Sequence, residues 1–94
     1  MTAPPDQAEV VVRNKNGLHA RPASLVAETA LRFKQTSICI LRGDLEVDAK
    51  SIMELLLLEA TQGTKLVVKA SGPEARAAVE ELKRLFENSF DLAH

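Results

Sequence analysis

Aromatic residues are scarce in this chain, which has no tryptophan or tyrosine and only three phenylalanines among its 94 residues. Domains that bind RNA or single-stranded nucleic acid usually stack bases on exposed aromatic rings beside basic strands. An RNA-binding α/β sandwich is therefore poorly supported. The hydrophobic content of 46% is mostly aliphatic, and it is enough for the packed core of one small domain.

Cysteine and excess charge are also nearly absent. The single cysteine, Cys39, excludes a disulfide within the chain and suits a reducing compartment, so we expect a cytoplasmic protein. Twelve basic and thirteen acidic side chains leave a formal net charge of −1, which argues against a broad surface for nucleic acid or anionic membranes. No apolar run approaches the roughly 20 residues of a membrane-spanning helix, so we expect no membrane insertion.

The two ends of the sequence have no features of a folded or targeting segment. Residues 1–8 have neither a basic start nor an apolar centre, so we expect a flexible tail and not a signal peptide. Residues 89–94, which end at His94, are expected to form a frayed extension. A single domain is thus predicted over residues 9–88.

Hydrophobic periodicity predicts four strands and three helices in the order βαββαβα. Ser51 and Glu54 have the spacing of a capping box, which predicts a second helix that begins after Ser51 and stops near Gly63. Strands and helices of these lengths indicate an α+β fold, in which three helices cover one face of a four-stranded antiparallel sheet. The predicted strands are at residues 9–13, 37–42, 45–49 and 65–70, and the first helix is at 20–33.

The most informative stretch is residues 17–23, GLHARPA. Proline is tolerated in a first helical turn, so Pro22 allows a helix to begin near Ala20 with His19 at or beside its N-cap. Unpaired N–H groups at a helix start attract anions, and Arg21 adds guanidinium donors suited to phosphate oxygens. Because an imidazole nitrogen is a nucleophile near neutral pH, the stretch predicts a nucleophile placed where a phosphoryl group would be held.

Taken by themselves, these residues leave alternatives open. A histidine at a helix start can be a cap or a surface residue, and Arg21 can be a solvated charge. The spacing of Arg21 from His19 strengthens the functional interpretation without excluding those alternatives. The sequence contains no cluster of metal-ligating residues and no glycine-rich nucleotide loop, so we expect neither a metal nor a cofactor.

Four segments, in order along the chain, resemble those of the HPr family, the phosphocarriers of the bacterial phosphotransferase system. They are GLHARPA at residues 17–23, KSIM at 50–53, QGT at 62–64 and ASGPE at 70–74. The resemblance extends over about residues 9–86 and implies that family's open-faced β-sandwich, in agreement with the periodicity.

The resemblance also implies a function. His19 would accept a phosphoryl group from enzyme I on a ring nitrogen, with Arg21 stabilising the phosphate, and the group would then pass to an enzyme IIA acceptor. The chain would be a monomeric phosphotransfer protein and not an enzyme that turns over on its own. Ser51, which the helix cap already explains, would in addition be a regulatory phosphorylation site in bacteria that possess HPr kinase/phosphorylase.

The predicted second helix is apolar nearly all round, so some of its apolar side chains must be exposed, and exposed apolar patches mark partner sites. The resemblance implies a docking face for partner proteins that combines the first two helices, and we assign to it Ala20, Ser24, Ile52, Met53 and Leu56. Two alternatives are that Ser24 only packs at the helix surface and that the C-terminal extension covers the patch.

The branch of the phosphotransferase system is left open by the sequence. Glu59 occupies a position where carbohydrate-branch carriers usually have glycine, and residues 56–59 and 71–74 resemble the nitrogen-branch paralogue. Ile52 and Met53 instead resemble the carriers that are regulated on serine. A nitrogen-branch phosphocarrier, and a regulatory binding module that does not use His19, are therefore the alternative functions.

Overall fold

A computed structural model describes residues 6–91 of the chain. Its four strands form one antiparallel sheet in the order β1-β4-β2-β3. The predicted βαββαβα order and the open-faced sandwich are confirmed. The elements are β1 (Asp6–Val11), α1 (Ala20–Leu31), β2 (Ser37–Arg42), β3 (Leu45–Asp48), α2 (Ile52–Leu56), β4 (Lys65–Ser71) and α3 (Ala75–Glu87), followed by a 3₁₀ turn at Ser89–Asp91.

The core lies between one face of the sheet and the helices. In the central strand β4, Leu66, Val68 and Ala70 are buried, whereas the alternate residues Lys65 and Lys69 reach the open face. The long helix α3 packs over β1 and β4, and α1 packs against both α2 and α3. Among the helices of residues 6–91, none combines the length and the apolar character needed to cross a membrane.

The first strand begins earlier than we predicted. We expected it at residues 9–13, preceded by a flexible tail at 1–8, but β1 starts at Asp6 and ends at Val11. The reason is its partner strand, because Asp6 pairs with Ala70 and the ladder continues without a gap to Val11 and Lys65. Residues 6–8 therefore belong to the sheet, and the expected tail at residues 1–5 lies outside the described part.

The second helix is much shorter than predicted. It spans only Ile52–Leu56, although the apolar run suggested that it would continue to about residue 62. After Leu56 three successive hydrogen bonds are of i→i−3 type, with the N–H groups of Leu57, Leu58 and Glu59 as donors. Glu59 itself takes a left-handed conformation with φ of 47°. Gly63, expected to end this helix, instead donates its N–H to the carbonyl of Val12 at 2.7 Å.

The C-terminal segment is folded over residues 89–91, where we expected a frayed extension. Ser89 and Phe90 are buried, and the Phe90 ring packs edge-on against Phe86 of α3 with 4.9 Å between ring centroids. The local sequence could not predict that Phe90 packs back against α3, because this packing depends on the space available beside that helix. Residues 92–94, including His94, lie outside the described part.

Candidate functional site

The candidate nucleophile lies at the start of α1, as predicted. His19 is the N-cap, with an extended backbone and an exposed side chain that makes no capping hydrogen bond. The first helical hydrogen bond runs from the Ala23 N–H to the His19 carbonyl at 2.9 Å. The amides of Ala20 and Arg21 precede that bond, and within residues 6–91 neither donates to another group. The imidazole ring and two backbone donors are therefore available together at the positive end of a helix.

The loop that precedes His19 is closed by Asn14. The buried side chain of Asn14 donates from Nδ2 to the Gly17 carbonyl at 2.6 Å, and the Gly17 N–H returns a bond to the Asn14 carbonyl at 3.1 Å. Gly17 has φ of 72°, in the left-handed region that glycine adopts without a steric penalty. This turn brings the chain to His19 in one defined conformation.

A second loop lies directly against this turn. The Leu18 N–H donates to the Ala60 carbonyl at 2.8 Å, and both residues are buried. A Cβ at Gly17 would collide with the carbonyl oxygen of Ala60 and would lie 3.0 Å from the Cα of Thr61. The two backbones are thus in van der Waals contact, which leaves the residue before His19 little freedom to move.

The QGT segment supports the strand end that leads into the same loop. Gln62 donates from Nε2 to the Arg13 carbonyl at 3.0 Å, and the Gly63 N–H bonds the Val12 carbonyl at 2.7 Å. The Val12 N–H bonds the Thr64 carbonyl at 3.0 Å. These three hydrogen bonds go to main-chain groups, so the segment holds the backbone of residues 12 and 13.

Ser51 caps α2, and the capping prediction is confirmed for the serine. Its Oγ accepts from the Glu54 N–H at 3.2 Å. Glu54 does not complete the reciprocal box, because its Oε1 accepts from the Asp48 N–H at 3.0 Å instead. The Asp48 carboxylate in turn accepts from the Lys50 N–H at 2.9 Å, so the turn before α2 is fixed on both sides of Ser51.

Lys50 ties this turn to the far end of α1. Its ammonium group donates to the carbonyls of Phe33 and Thr36, at 2.8 and 2.7 Å. His19 is at the opposite, N-terminal end of α1, a helix of 12 residues, which corresponds to a length of about 18 Å. Ser51 and His19 therefore lie toward opposite ends of α1.

The predicted docking residues of α2 are exposed. Exposed fractions are 41% for Ile52, 78% for Met53 and 38% for Leu56, and the adjacent Leu57 is 63% exposed. In the first helix Ala20 is exposed and Ser24 is half-buried. We call the four exposed side chains, Ile52, Met53, Leu56 and Leu57, the apolar patch.

The described C-terminal residues do not cover this patch. Residues 89–91 pack on α3, and Phe90 fills a position beside Phe86. The alternative that the extension shields the apolar patch therefore fails for residues 89–91, and residues 92–94 lie outside the described part.

The structural roles of two basic residues, Arg42 and Lys50, were not predicted from the sequence. Arg42, the last residue of β2, donates to the carbonyls of Leu58 and Glu59, and Lys50 binds the carbonyls after α1 as described above. Each contact joins residues at least 14 positions apart, and a carbonyl acceptor leaves no mark on a sequence. No local pattern could have identified them.

Cys39 carries the one thiol in the sequence, and this thiol is not activated. Burial raises the pKa of the Cys39 thiol above its ordinary value, and the neighbouring carboxylate of Glu46 adds to the rise. The thiol therefore stays protonated at neutral pH and is a poor nucleophile.

Comparisons with family models, curated proteins and solved structures all identify the same family. Residues 7–88 match the family described as PTS HPr component phosphorylation site. The chain is 40% identical over 82 residues to the phosphocarrier protein HPr of Treponema pallidum (strain Nichols), covering 87% of this chain and 92% of that one. It is 36% identical over 84 residues to the phosphocarrier protein NPr of Escherichia coli (strain K12), covering 87% and 91%. The crystal structure of HPr from Thermoanaerobacter tengcongensis matches with a TM-score of 0.89 at 34% identity, over 95% of this chain and 99% of that one.

The contact between Gly17 and Ala60 generates a prediction with a matched control. Gly43 also has a positive φ, 57°, but a Cβ added there would meet no atom within 4 Å. Both Gly17→Ala and Gly43→Ala should lose stability through backbone strain, and Gly17→Ala should lose about 1–3 kcal/mol more because of the collision. Denaturant unfolding of both variants measures the difference. Equal losses would show that the two loops are not in close contact.

Proposed function

The chain belongs to the HPr family of phosphocarrier proteins of the phosphotransferase system, and we propose that His19 is its phosphoryl-accepting residue. In this proposal His19 takes the group from enzyme I and passes it to an enzyme IIA domain. The observation that supports this proposal is the position of the His19 imidazole. It is exposed, makes no capping hydrogen bond and lies beside the free amides of Ala20 and Arg21. We place the exchange in the cytoplasm, where Cys39 would stay a free thiol.

The chemistry follows from the position of the ring. A lone pair on a neutral ring nitrogen attacks the phosphorus atom, and the bond between phosphorus and the donor group breaks as the new phosphorus–nitrogen bond forms. The negative charge on the equatorial oxygens is stabilised by the two backbone N–H groups and by the guanidinium of Arg21. A phosphoramidate is reactive enough to give up its phosphoryl group again, which a serine ester would not do readily. A carrier needs this reversibility.

Partner proteins are proposed to dock on the apolar patch together with Ala20 and Ser24. The patch is on the helix that packs against α1, because α1 and α2 are in contact. Methionine and leucine side chains adapt to different surfaces, which suits a protein that must fit both a donor and several acceptors. Removing apolar side chains from water on docking also supplies binding free energy.

Ser51 is proposed as a regulatory phosphorylation site, modified by HPr kinase/phosphorylase where the cell has one. Ser51 is half-buried, and it stands immediately before Ile52 of the apolar patch. A phosphate there would carry about −1.5 to −2 charges and would face the start of α2, so its effect should be on docking and not on folding.

The nitrogen-branch phosphocarrier is the second candidate function. It is favoured by Glu59, which stands where carbohydrate-branch carriers usually have glycine and holds a left-handed conformation. Both candidates use the same phosphohistidine chemistry, so they differ only in the acceptor. Offering phosphorylated protein to purified carbohydrate-branch and nitrogen-branch IIA domains from the same organism would separate them by the faster transfer.

The role of His19 is tested by its removal. His19→Ala should keep the native melting temperature, because the side chain is exposed and makes no capping bond, and should abolish labelling by enzyme I and phosphoenolpyruvate. Wild type should carry an acid-labile, base-stable phosphate. Normal acid-labile labelling of His19→Ala would eliminate His19 as the acceptor, and an unlabelled wild type would favour a binding module that does not use the histidine.

The role of Arg21 is tested by a substitution that keeps the charge. Arg21→Lys loses the planar guanidinium, so phosphoryl transfer should slow by about 10- to 1000-fold, the scale expected for one oriented donor to developing charge. Binding to enzyme I should be retained, as measured by calorimetry. Arg76→Lys, at an exposed position of α3, is the control and should transfer at the wild-type rate. Equal rates for Arg21→Lys and wild type would rule out a need for guanidinium geometry.

Ser51 is tested with two variants that separate the cap from the switch. Ser51→Ala should lose about 0.5–2 kcal/mol of stability with transfer unchanged, because only a capping acceptor is removed. Ser51→Asp should keep its melting temperature but receive phosphate from enzyme I more slowly, because a charge beside the apolar patch opposes docking. Ser71→Asp adds the same charge at an exposed position of β4 and should transfer normally. A Ser51→Asp variant as fast as wild type would reduce the serine to a cap.

A further inference from the structure

Glu59 has a backbone conformation that a side chain disfavours. Its φ of 47° is in the left-handed region, where the Cβ of an L-residue crowds the following carbonyl oxygen. Glutamate has no special tolerance for this region, unlike glycine or asparagine. Glu59 is exposed, so burial of its side chain does not stabilise the conformation. Contacts of the main chain must therefore hold the turn.

Arg42 makes such contacts on both sides of the strained position. Its Nη1 donates to the Leu58 carbonyl at 2.7 Å and to the Glu59 carbonyl at 2.9 Å. These carbonyls follow the last turn of α2, where the helix itself supplies no partner. Hydrogen bonds from a cationic donor are stronger than those between neutral groups. One guanidinium thus fixes two successive peptide units, and we call this arrangement the Arg42 clamp.

The clamp is one residue away from the contact that positions the candidate nucleophile. Ala60 follows Glu59, and the Ala60 carbonyl accepts from the Leu18 N–H at 2.8 Å. Leu18 immediately precedes His19. Because the backbones of Gly17 and Ala60 are already in van der Waals contact, a displacement of Ala60 must be transmitted to the turn before His19.

We propose that Arg42 is a positioning residue for phosphoryl transfer through His19. It acts by holding the left-handed turn at Glu59, so that the Ala60 carbonyl fixes the Leu18 amide and with it the N-cap of α1. The proposal rests on the proposed role of His19. Arg42 is assigned this indirect role because the contacts of its Nη1 are to the main-chain carbonyls of Leu58 and Glu59.

The test compares Arg42→Ala with Arg76→Ala, which removes the same charge from an exposed position of α3. Hydrogen exchange of the Leu18 amide reports the contact with Ala60, and the Ala49 amide, bonded to the Ile38 carbonyl at 3.0 Å, is the internal reference. In Arg42→Ala the Leu18 amide should exchange faster, while exchange of the Ala49 amide is unchanged.

The same variant should also affect kinetics. Transfer from enzyme I at saturation should slow by about 10- to 100-fold, the cost of a nucleophile displaced by about 1 Å, with a smaller change in KM. Arg76→Ala should match wild type in both measurements.

A second substitution tests the route through Glu59. Adding Glu59→Gly to Arg42→Ala should restore most of the transfer rate and the Leu18 protection, because glycine adopts the left-handed turn without a clamp. A double variant no faster than Arg42→Ala would overturn the proposed route. Wild-type transfer by Arg42→Ala, or equally accelerated exchange at Ala49 and Leu18, would also overturn it.

The two proposals can fail separately. If His19→Ala still accepted phosphate, His19 would not be the acceptor, and the proposed function would fall whatever Arg42 does. The exchange of the Leu18 amide is read without phosphoryl transfer, so an unchanged Leu18 amide in Arg42→Ala would refute the clamp even where His19 is proved to be the acceptor.

Discussion

The hydrogen bond from the Leu18 amide to the Ala60 carbonyl is the contact on which the candidate site depends. It joins the loop before α1 to the loop after α2, two segments more than 40 residues apart in the chain. Gly17 makes the contact possible, because any larger residue would collide with the Ala60 carbonyl oxygen. The surrounding bonds from Asn14 and Gln62 act on the same short stretch of main chain. A reactive side chain can be held in place in this way without being touched itself.

That division between backbone and side chain fits the chemistry of a carrier. In the proposed function the His19 ring would approach a donor and then an acceptor, so its side chain could be neither packed nor engaged in a capping hydrogen bond. The side chain is in fact exposed and makes no capping bond. Its position is set by the main chain on either side, through the N-cap of α1 and the loop that leads into it. The free amides at the helix start then provide donors whose orientation needs no rearrangement when charge develops on a phosphoryl group.

The arrangement of α1 and α2 separates the two proposed phosphorylation sites while linking both to one surface. Lys50 attaches the start of α2 to the end of α1, and Ala60 attaches the loop after α2 to the beginning of α1. The apolar patch lies along the segment between these two attachments. A charge at Ser51 would therefore be remote from His19 but adjacent to the surface where partners are proposed to dock, so its influence would be on encounter and not on the phosphohistidine itself.

The sequence by itself determined the features that depend on near neighbours. The order of elements, the start of α1 with His19 as its N-cap and the capping of α2 by Ser51 follow from periodicity and from the few residues around each terminus, and the structure confirms them. The HPr family was also recognisable from its motifs, whereas the roles of His19, Arg21 and Ser51 are still proposals.

Tertiary structure decided the rest. After the early end of α2 the chain is contacted by Arg42 and lies against Gly17, the first strand gains residues 6–8 by pairing with β4, and Phe90 packs beside Phe86 of α3. In each case the stabilising partner is far away in the chain or outside the local pattern, so its free energy is absent from any short window of sequence.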